Sequence, residues 1–224
     1  MGLAPLYANR FPPEDRRAKD AIWRVLCRSF FQKYVAPDAA VVDLGAGFCE
    51  FLRHTQCRER IAVDLDPGLA EFAPPGTRLI QAPAHQLGPH LADASTDVVF
   101  ASNFFEHLPD KATFLATLSE VHRILKPGGQ LLVLQPNIRL IGGRYWDFVD
   151  HHIPLTERSL AEAVTMTGLQ VTEVVTRFLP YTTRSRVPQH PALVRLYLLA
   201  RPLWYLMGGQ TWLVAKKPGA AGSR

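Results

Sequence analysis

The chain has 224 residues, 47% hydrophobic and 20% charged, which excludes a wholly disordered protein and leaves enough apolar material for one domain without disulfide or metal staples. Its formal charge of +5 permits anionic partners, but the basic residues form no Lys/Arg block, which disfavours nucleic acid. Three scattered cysteines, Cys27, Cys49 and Cys57, form no C-x-x-C pair and point to reduced thiols, with neither a disulfide framework nor a zinc site.

The opening MGLAPLYANRFPPEDRR lacks the continuous apolar core of a secretory signal. No uninterrupted apolar run reaches the ~20 residues that span a bilayer, so a cytoplasmic location is the expectation. Ile22, Val25, Leu26, Phe30 and Tyr34 recur at helical spacing after Pro12 and Pro13. They predict an N-terminal helical segment, within residues 1–38, that lies on the core of a domain over residues 39–217.

AVVDL, from Ala40 to Leu44, is a short apolar run ended by glycines, hence a buried strand, and FCEFLRHTQC starts a helix. RIAVD (Arg60 to Asp64), TRLIQ (Thr77 to Gln81) and TDVVFAS (Thr96 to Ser102) read as three more strands, apolar enough to be covered on both faces. Phe114, Leu115, Leu118, Val121 and Leu125 share one helical face, and LKPGG halts that helix before the strand QLLVLQ. After a loop rich in aromatics and histidines come a helix over about Thr156 to Thr167, the strand LQVTEVV and a last strand QTWLVAKK. No internal repeat has a fixed period, and the closing residues 218–224 are small and polar, a frayed tail.

Strands alternating with helices predict a doubly wound α/β sheet, whose ligands bind at the carboxyl ends of the strands. In DLGAGFCE, Gly45 and Gly47 let the backbone turn tightly and approach a ligand, while the next helix offers unpaired N–H groups. Asp64 ends the second strand and can accept both hydroxyls of a ribose. A dinucleotide loop would carry glycine at position 50, where Glu50 would meet a pyrophosphate, so NAD and FAD are disfavoured.

VVDLGAGFCEFL, IAVDLDP, STDVVFASNFFEHLPD and RILKPGGQLLVLQPN, in that order and spacing, resemble the successive motifs of class I S-adenosylmethionine-dependent methyltransferases over roughly residues 40 to 137. The resemblance implies a Rossmann-like, seven-stranded, mostly parallel sheet with its last strand antiparallel and helices on both faces. It implies S-adenosylmethionine as cofactor, with S-adenosylhomocysteine as product. Asp43, Gly45 and Gly47 would line the methionine part, Asp64 would hold the ribose, and Asn103 with Phe104 would lie beneath the sulfonium.

Two departures stand out. Cys49 replaces a usual glycine, which a loop with helical angles at that position would accept without strain. Pro83 and Ala84 stand where the family often carries an acid for the adenine amino group, leaving backbone near Ala84 or the side chains of His85 and Gln86 as substitutes. YWDFVDHHIPLT and RFLPYTTRSRVPQHP resemble a narrower group associated with bacterial surface polysaccharide and glycolipid assembly, which implies a sugar or glycolipid acceptor.

A hydroxyl acceptor must lose a proton as its bond to methyl forms, and histidine is the usual recipient. His151 and His152, after Tyr145, Trp146, Asp147 and Asp150, sit in a loop able to stack on a sugar face. They are the first candidates for the base, with His107 as a third and with Glu106 and Asp150 as orienting partners. The pair has no third ligand at convincing spacing, so no metal is expected. His54, His90 and His122 read as surface residues. Residues 191–208, apolar but broken by Arg195, Arg201 and Pro202, form either a helix pair covering the sheet or an interfacial surface within a substrate cap over about 138–209. A small-molecule methyltransferase for a quinone or phenol, and a non-catalytic cofactor-binding partner of a glycan-assembly complex, are the alternatives. The oligomeric state is not legible.

Overall fold

A computed structural model describes residues 13–181 and 190–219. The first part of the N-terminal segment, part of RFLPYTTRSRVPQHP and the tail from residue 220 lie outside the described residues.

The seven strands are β1 (Ala40–Leu44), β2 (Glu59–Asp64), β3 (Thr77–Gln81), β4 (Thr96–Ser102), β5 (Leu125–Pro136), β6 (Gln170–Val175) and β7 (Gln210–Lys216). They make one sheet in the order β3-β2-β1-β4-β5-β7-β6. β1 to β5 pair in parallel, and β7 runs antiparallel to both β5 and β6. This is the doubly wound, mostly parallel sheet with a reversed last strand. The chain leaves β1 for β2 and β3 on one side, then returns to place β4 on the other, so the crevice between the carboxyl ends of β1 and β4 is the switch point where such sheets take ligands.

Successive residues of β1 feed opposite layers, as the two-residue period of a strand demands. Val42 and Leu44 join Val99, Leu118 and Leu160 on one face, whereas Val41 joins Phe31, Phe100 and Trp212 on the other. The first layer is closed by α3 (Lys111–Ile124) and α5 (Glu157–Met166), both capped at the N-terminus: Asp110 accepts from Thr113 N, and Thr156 with Ser159 forms a capping box. Aromatic rings build the second layer, where Phe51 stacks on Phe100 at 3.7 Å and Phe31 lies against Trp212. The helix α1 (Pro13–Ser29) covers this side with Leu26 and Cys27.

Within the range expected to form a cap, α5 and β6 are built onto and into the sheet. Among the other described residues of that range are the loop after β5, containing α4 (Ile138–Ile141), and a helix pair, α6 (Pro191–Leu199) and α7 (Arg201–Met207). His54 ends the short helix α2 (Glu50–His54) and is not a surface residue: Nε2 lies 2.8 Å from Asp20 Oδ1, and the ring is mostly covered by α1.

Candidate functional site

At the end of β1 the chain folds back over β2, with Gly45 N and Ala46 N both donating to Val63 O. Gly45 and Gly47 take left-handed angles, φ 65° and 51°. A Cβ at Gly45 would lie 2.4 Å from Phe104 Cδ2, so glycine is needed for space as well as for angle. Cys49 departs from expectation: its φ of 55° and ψ of 26° are left-handed, not helical. Cys49 N donates to Ala46 O at 2.8 Å and Cys49 O accepts from Arg53 N, so one residue closes the turn and opens α2. The strain of a non-glycine there, about 1–2 kcal/mol, is borne by a fully buried thiol.

Asp64 is held by two backbone N–H groups, from Gly47 to Oδ2 and from Asp66 to Oδ1, each at 2.9 Å. Each oxygen keeps lone-pair capacity for a ribose hydroxyl. Beside it Leu65 exposes 53% of its surface, an apolar step not singled out in the sequence, where a purine face could rest. Asp43 sits beneath the loop, buried. Burial first, then the charges of Glu50 and Asp64, hold its carboxyl well above the usual carboxylate range. Glu50, expected to confront a ligand phosphate, pairs with Lys19 of α1 at 3.0 Å.

At the next loop Ala84 is buried against the core, and the His85 ring meets Gln86 Nε2 at 3.1 Å. Asn103, exposed and at φ 47°, donates its N–H to Leu134 O and its amide to Ser102 Oγ. Phe104 packs on the core with one edge against Gly45. The glycine cradle, the twice-anchored carboxylate and the Leu65 step fit a nucleoside. Among the candidates, Gly47, Asp64, Asn103 and Phe104 lie at the crevice, with Asp43 and Ala84 behind it.

On the other side of that crevice the loops after β4 and β5 converge. His107 Nδ1 meets two acceptors, Asp150 O at 3.0 Å and Asp150 Oδ2 at 3.1 Å. Its other ring nitrogen, Nε2, lies 4.0 Å from Glu106 Oε1. The ring lies edge-on to His151, at 4.9 Å between centroids. His151 is buried among Tyr145, Phe148 and His107. His152 contributes backbone, its N–H donating to Glu106 O at 2.7 Å, while its side chain is exposed. Glu106 is buried and accepts from Gln135 Nε2 at 3.0 Å; burial pushes its carboxyl above the ordinary range, against the pull of His107 and that hydrogen bond. Glu106, His107 and His151 each offer one ligand atom, all within 4.8 Å of one another, so the third potential ligand missing from the local spacing is supplied by the fold.

Tyr145 does not join the acceptor surface: it is fully buried and its hydroxyl donates to Ile153 O. Trp146, 54% exposed, does present its ring. Gln135 and Asn137 went unnoticed in the sequence as ordinary ends of a strand. Asn137 donates to Glu157 Oε2 and Thr211 Oγ1, tying the loop to α5 and β7.

Residues 42–133 match the family model described as a methyltransferase domain. Malonyl-[acyl-carrier protein] O-methyltransferase 1 of Coxiella burnetii is 32% identical over 114 residues, which cover 50% of this chain and 39% of that protein. A protein of Mycolicibacterium smegmatis, named as a probable S-adenosylmethionine-dependent methyltransferase, is 38% identical over 87 residues, covering 38% and 33%. The chain thus spans well under half the length of these curated relatives. Among solved structures, a SAM-dependent methyltransferase from Archaeoglobus fulgidus shares the fold, with a TM-score of 0.64 and 19% identity over 96% of this chain and all of that one. Over residues 42–133 the chain is therefore similar to methyltransferase domains.

Proposed function

We propose that this domain makes the whole chain an S-adenosylmethionine-dependent methyltransferase, and that its acceptor is a hydroxyl of a saccharide or glycolipid intermediate. The observation that carries the hydroxyl is the Asp150–His107 pair, in which a carboxylate and a backbone carbonyl of one residue hold one nitrogen of a partly exposed imidazole in the loop after β4. Exposed Trp146 supports a sugar face, since an indole ring packs on the apolar side of a pyranose.

The cofactor supplies an electrophilic methyl on a sulfonium, displaced in line, a reaction that asks the protein for alignment and exclusion of water. Asp64 would hold the ribose, the loop from Gly45 to Gly47 would admit the methionine part, and Phe104, packed against Gly45, would lie beside the sulfonium region. His107 Nε2 takes the hydroxyl proton while Asp150 steadies the imidazolium. His107 is better suited than the two histidines favoured by sequence, because His151 is buried and the His152 side chain faces solvent. The Coxiella burnetii relative is named for methylation at oxygen on malonyl-acyl-carrier protein. An acid of that kind is ionised at neutral pH and would leave His107 idle.

The test is transfer of labelled methyl from S-adenosylmethionine into fractionated cell-envelope extracts. Label in a saccharide or glycolipid that survives mild alkali, as an ether does, supports the reading. Label released as methanol indicates an ester and overturns the hydroxyl acceptor, whereas label in a small quinone or phenol overturns the saccharide. If calorimetry finds that neither S-adenosylmethionine nor S-adenosylhomocysteine binds, every catalytic reading fails.

A further inference from the structure

We propose that the helix pair α6–α7 docks on an anionic membrane surface, lying in the interface without crossing it. A helix on a globular protein turns one face to the core and shows water a polar one. Here Tyr197 and Trp204 face the core, yet the opposite side is apolar too: Leu193, Leu196 and Leu199 recur at helical spacing on α6, and Tyr205, Leu206 and Met207 follow on α7, all exposed. Leu199, Tyr205 and Leu206 each show 78–79% of their surface. Single exposed leucines are ordinary; six exposed large apolar side chains within residues 191–207 are not.

Charge selects the occupant. Residues 190–209 contain Arg195 and Arg201 and no Asp or Glu, and both arginines are exposed among the apolar side chains. That mixture suits acyl chains beneath a layer of phosphates, where long basic side chains reach up to the headgroups. With nine and seven residues, the helices are too short to span, and no described helix is long and apolar enough to cross a membrane.

The two helices are tied to each other and to the core. Trp204 Nε1 donates to Tyr197 O at 2.8 Å, the Tyr197 hydroxyl donates to Phe178 O, and Trp204 packs on Phe178. It also adjoins the acceptor site: Gly209, just past α7, accepts from Asn137 N and lies against Ile141 and Tyr181, and Tyr181 touches Phe148. Docking would set the crevice beside the bilayer, where a lipid-linked acceptor resides; that last step rests on the proposed acceptor, whereas the docking does not.

Flotation with vesicles of phosphatidylglycerol and phosphatidylcholine tests it, against phosphatidylcholine alone, for the wild type, Leu199→Glu/Leu206→Glu and Arg195→Glu/Arg201→Glu. Binding to the anionic vesicles, weakened roughly tenfold or more by either pair and by added salt, is expected. Circular dichroism melts verify that these exposed substitutions leave the fold intact. Absence of binding, or equal binding by folded variants, overturns the proposal. So does light scattering that shows a dimer which the same substitutions dissociate, since the face would then belong to a second copy. Cofactor binding and methyl transfer to a water-soluble acceptor stay unchanged in the variants, so failure of docking is distinguishable from failure of the enzyme.

Discussion

The ring of Phe104 lies against the Cα of Gly45 so closely that a Cβ at position 45 would sit 2.4 Å from Phe104 Cδ2. Gly45→Ala therefore faces two penalties, about 1–2 kcal/mol for a left-handed φ and about 1–3 kcal/mol for overpacking. Removing the ring in Gly45→Ala/Phe104→Ala should lift the second and leave the first. A double-mutant cycle by chemical denaturation should thus show favourable coupling of about 1–3 kcal/mol. Additive losses would mean that the loop moves aside and that the contact does not set the glycine.

Cys49 makes a related case with no room to spare. Cys49→Gly relieves the left-handed strain but gives up a buried thiol and adds chain entropy to the unfolded state, so stability should stay within about 1 kcal/mol of wild type. Cys49→Val, β-branched at a positive φ, should cost about 3 kcal/mol or more. Burial also pushes the Cys49 thiol up to about 12, so it should resist iodoacetamide until the protein unfolds. Rapid alkylation of the native protein would contradict the closed turn.

Much of this architecture was legible because parallel strands buried on both faces leave apolar runs, and β1 to β4 announce themselves in AVVDL, RIAVD, TRLIQ and TDVVFAS. The angle at Cys49 was less so: a glycine is usual at that place, but cysteine itself carries no signal for left-handed backbone, and the hydrogen bonds to Ala46 and Arg53 that accompany the turn are visible only in the fold. The acceptor cluster was half visible. Both of its motifs, FEH and DHH, were read as candidates, but which histidine faces which acid depends on how a loop returns across 43 residues to bring Asp150 to His107. Tyr145 looked like a sugar platform by type and proved to be core, while Gln135 looked like a strand end and proved to anchor Glu106.

Asp64 gives a direct measure of the ribose contact. Asp64→Ala should weaken S-adenosylhomocysteine binding by about 1–3 kcal/mol in calorimetry, the usual cost of hydroxyls left without a partner. Asp64→Asn should not restore it. An amide offers one acceptor oxygen where Gly47 N–H and Asp66 N–H each need one, so one of them would face an NH₂ group. Wild-type affinity in either variant would remove the assignment.

Glu106 couples the site to pH. Its folded-state pKa is raised, chiefly by burial, so the charged form is disfavoured in the fold. The resulting penalty is absent below the unfolded value of about 4.3 and grows as pH rises from there through the folded value. Glu106→Gln keeps an acceptor for Gln135 and removes the charge, so it should raise the melting temperature at pH 8 and change it little near pH 4. A gain of equal size at both values would mean that charge burial is not its origin.

His107 decides between a proton acceptor and a metal ligand. As a base oriented by Asp150, its replacement in His107→Gln should lower the methyl-transfer rate about 10²–10⁴-fold while S-adenosylhomocysteine affinity holds. Asp150→Asn should lose part of that, because an amide oxygen can accept from Nδ1–H without stabilising the imidazolium as a carboxylate does. His152→Ala, exposed and bonded only through its backbone N–H among the contacts described, should stay near wild type. Treatment with EDTA should leave the wild-type rate unchanged. Loss of activity on chelation, restored by a divalent ion and abolished equally by His107→Gln and His151→Gln, would instead assign Glu106, His107 and His151 to a metal, since these three offer ligand atoms within 4.8 Å of one another.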